Sequence, residues 1–284
     1  MLTRTRTGVA AGGARLAAAR GFRELRPLRL SMSDFDPTAR RGEAVRALVD
    51  GEPARAADSY TVAGRGALAG REAEAHDRDV LGADAGRGAY GLRYLLLATL
   101  AHRAAGDDRR ARLRASEGRA VAVDYAGLFD AAVERACCLE AAADFVAAGG
   151  LDASTEDAYD RALAAYRNAD ESEPLDRATE PLFEAVRLGP QQAARNTGHG
   201  FDWDDLHGAD PDDVEYLAHR ARFKRSRVPR VAETVAETGV LAPPRGTTEH
   251  NNADYVCPDC GRSEVNWIAG IEACLDCDVR VEPK

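Results

Sequence analysis

Four of the six cysteines fall into two pairs, Cys257-Pro258-Asp259-Cys260 and Cys274-Leu275-Asp276-Cys277, with thirteen residues between them. Each C-x-x-C places two thiolates on one tight turn. Thirteen residues are enough for a hairpin that brings the second turn back to the first. Four thiolates then meet in a tetrahedron, the geometry Zn(2+) takes in structural sites. Gly261 follows the first pair, where a positive φ lets backbone amides approach sulfur. Asp278 holds the matching place after the second pair, and Asp tolerates that conformation better than most residues.

The knuckle Cys257-Pro258-Asp259-Cys260-Gly261 resembles that of zinc ribbons, a likeness that covers residues 255–284. The resemblance implies a small β module with Cys257, Cys260, Cys274 and Cys277 as zinc ligands. Glu264 to Ile268 has strand character, Gly270 can turn, and Val279 and Val281 alternate as in a strand. Tyr255, Trp267 and Ile271 are the expected minimal core. So short a segment buries too little surface to fold alone, and in such modules metal binding supplies roughly 10–16 kcal/mol. With all four ligands sulfur, no position stays open for water, so the site is expected to be structural rather than catalytic. The spacing also resembles the C-terminal module of rubrerythrins, which carries iron. Their Glu-x-x-His motif is absent here, however, and Arg262 stands where their aromatic residue would follow Cys260-Gly261.

Two other clusters invite a chemical reading. Arg220, Arg222, Lys224, Arg225, Arg227 and Arg230 put six cations within eleven residues, without an acid. They form either a phosphate-binding face for nucleic acid or the ion-pairing side of an acidic body. Asp202, Asp204, Asp205, Asp210, Asp212, Asp213 and Glu215, with His199 and His207 nearby, form an acidic run. Its spacing matches no calcium loop, and it reads as a solvated loop leading into a capped helix. Cys137-Cys138 lies on an apolar helix as small buried side chains. The chain contains no Gly-rich phosphate loop, no Gly-x-Ser-x-Gly and no Cys–His arrangement. No catalytic residue is assigned and no small-molecule substrate is inferred.

The elements that must position these residues are helical. The hydrophobic share is 45% but aromatics are only 6%, much of the remainder being alanine, the best helix former. The net charge is −9. Residues 1–31 hold seven Arg against Glu24, a net of +6, leaving −15 for the remainder. Lys224 and Lys284 are the only lysines. This composition resembles that of proteins from salt-accumulating halophiles, in which an acidic surface serves solvation. Residues 1–31 read as a disordered extension, with Met32 as an alternative start. No stretch approaches a membrane span, no secretory pattern appears, and paired cysteines in such a chain point to a cytoplasmic setting.

Capping and stop residues predict helices over 37–49, 53–69, 90–105, 108–125, 128–148, 155–169, 181–188, 210–225 and 229–238. Residues 70–89 and 190–209 read as loop, and no strand is expected before Tyr255. The domain plan is a helical domain over 32–239, a linker over 240–254 and the ribbon over 255–284. The fold class is mainly α: a multi-helix bundle or helical-hairpin repeat, followed by the small β ribbon. Ala56, Tyr60 and Ala63 share a spacing with Ala162, Tyr166 and Ala169, and more loosely with Ala111, Ala115 and Gly118. That spacing resembles the second helix of tetratricopeptide hairpins, although the intervals and the Trp-Leu-Gly-Tyr part of their first helix do not match.

Function is therefore expected to be non-enzymatic. A helical platform plus structural ribbon would act as an adaptor or scaffold contacting a protein partner. The alternative is a nucleic-acid-associated regulator using residues 219–230. The ribbon itself carries six acids against three cations, and Zn(2+) with four thiolates adds −2, so its face repels phosphate.

Overall fold

The computed structural model describes residues 36–69, 85–169, 171–208, 210 and 215–284. The expectations for 1–31, for most of 70–89 and for Asp212 and Asp213 lie outside these residues. The described helices are α1 (Pro37–Val49), α2 (Pro53–Leu68), α3 (Ala85–Ala104), α4 (Asp108–Ala126), α5 (Ala132–Gly149), α6 (Thr155–Arg167), α7 (Pro174–Ala178), α8 (Pro181–Ala194), α9 (Trp203–His207) and α10 (Tyr216–Thr238). The strands are β1 (Thr247–Glu249), β2 (Tyr255–Val256), β3 (Val265–Ile268), β4 (Ile271–Cys274) and β5 (Glu282–Pro283). The chain is mainly α with a small C-terminal β region, as the composition implied.

Local chemistry sets several helix ends. The Asp36 carboxylate accepts from the Thr38 amide at 2.9 Å, with Pro37 at the first helical position of α1. Asp107 caps α4 and the Ser154 hydroxyl caps α6 in the same manner. Gly150 and Gly239 close α5 and α10 in the left-handed conformation.

Two prolines do not act as the sequence reading expected. α8 continues through Gly189-Pro190 to Ala194, and α10 continues through Pro229. A proline inside a helix removes a hydrogen bond and costs about 3 kcal/mol. Packing outweighs that cost. Gly189, Pro190, Ala193 and Ala194 are buried on α8, and Val231, Ala232 and Val235 extend the buried stripe of α10 past its proline. Segments expected to be one broken and one short helix are therefore single rods.

Helices α1 through α6 pack each on the next. α8 lies on α3 and α5, and α10 crosses α3, α5, α6 and α8. The face that α3, α5 and α6 would otherwise offer is thus covered from within the chain. The small residues singled out by spacing sit at these contacts: Ala56, Ala63, Ala111, Ala115 and Ala162 are fully buried.

The stretch read as a linker is ordered and bonded on both sides. Leu241 and Ala242 are buried, and the Gln192 amide of α8 donates to the Ala242 carbonyl at 3.0 Å. β1 then pairs antiparallel with β3, Thr247 opposite Trp267 and Glu249 opposite Val265. Thr247 to Glu249 is exposed on every residue, so it lacks the apolar alternation that would have marked a strand.

Candidate metal centre and a buried charge cluster

β3 and β4 join through Ala269-Gly270, both at positive φ, the two-residue turn that matches strand twist. This hairpin returns the second cysteine pair to the first. The sulfurs of Cys257, Cys260, Cys274 and Cys277 all lie within 4.8 Å of one another, and those of Cys260 and Cys274 are 3.7 Å apart. A single ion can reach all four. The two knuckles match: the Gly261 amide donates to the Cys257 carbonyl and the Asp278 amide to the Cys274 carbonyl, with φ of 72° and 60°. Both positions are those the sequence singled out.

Burial pushes the Cys274 thiol up to about 11. Cys277 is raised further, first by its hydrogen bond with Cys260, whereas backbone N–H contact from Arg262 lowers Cys260. Four crowded thiolates repel one another, and a bound cation reverses that cost. The donor set therefore fits a thiophilic metal ion.

Around the cysteines, Val265 and Val281 form the inner packing with Tyr255, Trp267 and Val279. Tyr255 and Trp267 meet edge to face at 5.6 Å. Ile271, expected in this core, instead turns outward and packs with Ile268 and Ala273 against Val49 of α1. Polar contacts from α1 and from the end of α8 also reach the ribbon. Arg46 donates to the Ala269 carbonyl at 3.1 Å, Arg280 pairs with Asp50 at 2.9 Å, and Asn196 donates to Asp278 at 2.7 Å. The ribbon is docked on the helical body.

Of the six cations proposed as a phosphate face, two are withdrawn from it entirely. Arg220 and Lys224 are fully buried, aimed from α10 at α5. Lys224 Nζ contacts Glu140 at 2.6 Å and Asp144 at 2.7 Å, and donates to the Val186 carbonyl at 2.8 Å. Arg220 donates twice to Glu140, once to the Phe183 carbonyl and once to His207 Nε2. Tyr166 and Tyr159 donate to Glu140 and Asp144, each at 2.6 Å. Two acids four residues apart on α5 thus face two bases four residues apart on α10, on matching helical faces.

Burial works against the charge on Glu140, but Arg220 and Lys224 outweigh it and hold the group at about 2. Burial pushes Asp144 up to about 6. Arg222 and Arg225 are spent on acids of the helical body: Arg222 on Glu215, Arg225 on Glu156 and Asp160. Arg227 lies over the Phe223 ring at 5.2 Å, and Arg230 is exposed. No phosphate can reach Arg220 or Lys224, so the six do not form one face.

The sequence reading passed over Glu140 and Asp144. The pattern that marks them is two acids inside the apolar run from Cys137 to Val146, which cannot be buried without partners. Cys137 and Cys138 are buried as expected, and burial raises both thiols. In the acidic run, Asp202 and Asp205 form a reciprocal capping box at the start of α9, and His207 turns inward to Arg220. The four cysteines are the only metal-competent cluster among the described residues.

Among the described residues no helix is long and apolar enough to cross a membrane. Compared with protein-family models, curated proteins and solved structures, the chain matches none.

Proposed function

We propose that this chain is a non-enzymatic interaction protein, a helical platform carrying a structural zinc ribbon that meets a protein partner. The observation that carries this reading is the ligand set. All four donors are thiols of the chain, two of them buried, and a four-sulfur site leaves no position for a reacting water. The Cys260–Cys274 separation of 3.7 Å agrees with the roughly 3.8 Å edge of a tetrahedron built on zinc–sulfur bonds of about 2.3 Å. The other concentration of titratable groups, around Glu140, is closed to solvent and internally paired, which suits a scaffold rather than a reaction centre.

A partner is not expected on the face covered by α8 and α10. The outer side of α4 is better placed. Leu113 is 52% exposed, Val123 44%, and Leu128 just beyond the helix 74%, and Leu113 and Val123 share one outward stripe with Ser116 and Ala120.

The test is a pull-down with the full chain at high salt, with and without nuclease, beside a Leu113→Asp/Val123→Asp variant. Proteins retained after nuclease and lost in the variant support the reading. Recovery of nucleic acid, with protein partners lost on nuclease treatment, overturns it in favour of a nucleic-acid regulator working through Arg222, Arg225, Arg227 and Arg230.

A further inference from the structure

Arg93 of α3, Arg195 at the end of α8 and Arg245 just before β1 line one open cleft of about 410 Å³, within the size range of small-molecule sites. Leu188, Phe201 and Pro244 supply its apolar wall. Among the described residues many arginines pair with carboxylates, as Arg177, Arg187 and Arg225 do, and these three do not. Arg93 Nε, Arg195 Nε and Arg195 Nη2 are buried without any hydrogen-bond partner. The one contact of Arg93, to Gln192 Oε1, is a long 3.5 Å. The Gln192 amide group is turned away, donating to the Ala242 carbonyl.

The nearby acids are engaged elsewhere. The carboxylate of Asp202, which lines the cleft, caps α9 by accepting from the Asp205 amide. Asp278 acts on Arg195 only from beyond ion-pair distance and accepts from Asn196. Burial lowers both Arg93 and Arg195, and like charge adds to it: Arg41 acts on Arg93, and Arg245 on Arg195. Guanidinium groups buried without an ion-pair partner and beside like charge are a standing cost to the fold, and an anion would offset it.

We propose that this cleft binds a small organic phosphate, with phosphoryl oxygens among Arg93, Arg195 and Arg245 and the organic part against Leu188, Phe201 and Pro244. Three guanidinium groups arriving from three chain segments suit a tetrahedral dianion with three free oxygens better than a planar carboxylate with two. The site spans the two parts of the fold. Arg93 and Arg195 belong to the helical body, whereas Arg245 is followed by Gly246, whose amide donates to Asn266 of β3 at 2.7 Å. A bound phosphate would therefore tie the ribbon arm to the helices. This inference does not depend on the partner reading, and its test involves no partner.

The experiment is titration calorimetry on the metal-loaded full chain at constant ionic strength, using ribose 5-phosphate, AMP, inorganic phosphate, succinate and citrate. The expected result is binding of a phosphate ester, with inorganic phosphate weaker and the carboxylates weaker still. Arg195→Met and Arg93→Met should each lower affinity tenfold or more, while melting of the unliganded variant is unchanged or higher, because an unpaired buried charge has been removed. Arg245→Gln, at an exposed position that leaves the core intact, should lower affinity several-fold. The proposal is overturned if no phosphate compound binds, if only carboxylates bind, or if Arg245→Gln binds like the parent. It is also overturned if both methionine variants melt lower than the parent, which would make the arginines structural.

Discussion

Arg220 Nη1 donates to His207 Nε2 at 2.9 Å, at the edge of the buried charge cluster where the acceptor is an imidazole nitrogen. His207 Nδ1 lies 3.1 Å from the Trp203 carbonyl, so it carries the ring proton and Nε2 accepts. Protonating Nε2 would set an N–H against a guanidinium. Burial first, and the Arg220 charge second, lower His207 to about 3.

The sign follows from linkage. The unfolded chain protonates this imidazole near 6.5, and the folded chain only near 3. Between those values the unfolded state holds more protons, so stability falls with acidification, by up to about 1.4 kcal/mol per pH unit. Asp144, raised by burial, works in the opposite sense between about 6 and its ordinary value of 3.8, so the imidazole must be isolated by comparison. His207→Gln keeps an acceptor for Arg220 and removes the titration. Urea unfolding should show the parent losing about 2–3 kcal/mol relative to this variant between pH 6.5 and pH 4.5. An unchanged difference would mean that His207 is not held neutral.

Lys224 makes contact with both Glu140 and Asp144, so its removal takes one of two cations from Glu140 and leaves buried Asp144 with Tyr159 alone. Lys224→Met should destabilise the chain by about 3–5 kcal/mol, the usual result of breaking a buried pair from one side. Arg222→Ala, two residues away but 46% exposed, should cost less than about 1 kcal/mol. Equal losses in chemical denaturation would contradict the burial that separates these neighbours.

The same helix shows where legibility ends. Asp36, Asp107, Ser154 and Gly239 announce helix ends because capping is local chemistry within four residues. Cys257, Cys260, Cys274 and Cys277 announce their site because coordination demands one residue type at fixed spacing, down to the positive φ of Gly261 and Asp278. Arg220 and Lys224 look like surface cations because the acids that bury them lie 80 residues earlier. Pro190 and Pro229 look like breaks because the packing that overrides them is tertiary. β1 is exposed throughout, so no periodicity marks it; only the pairing with β3 makes it a strand. The cleft of Arg93, Arg195 and Arg245 has no motif, since three distant segments each give it one residue.

Gly118 of α4 sits under the Phe145 ring of α5. A Cβ there would lie 2.2 Å from two ring atoms, and Phe145 is 1% exposed. Elsewhere in a helix interior, Gly→Ala gains up to about 1 kcal/mol. At Gly118 overpacking should exceed that gain, for a net loss of about 1–3 kcal/mol. Gly42→Ala on α1 is the control, because its new Cβ meets only the end of the flexible Arg46 side chain at 3.3 Å. Denaturant midpoints should move in opposite directions, and a shared stabilisation would show that α4 and α5 are less closely packed than this.

Metal removal tests how far the ribbon is independent of the helices. A metal-dependent ribbon joined to the helices only by a linker would unfold in Cys257→Ser or on chelation and spare the helical domain. The docking of Ile268, Ile271 and Ala273 on Val49, with the Arg280–Asp50 and Asn196–Asp278 contacts, predicts a partial coupling instead. Losing the ribbon exposes Val49, worth about 1.5–3 kcal/mol if fully uncovered. It releases the exposed ion pair at a smaller cost. Helical circular dichroism at 25 °C should therefore persist, while its melting midpoint falls by roughly 3–10 °C for a domain of this size. Metal analysis of the parent should find one zinc per chain, and iron in its place would overturn the zinc assignment. An unchanged helical midpoint after chelation would show that the ribbon contributes nothing to the body, and a wholesale loss of helix would show that α1 depends on it entirely.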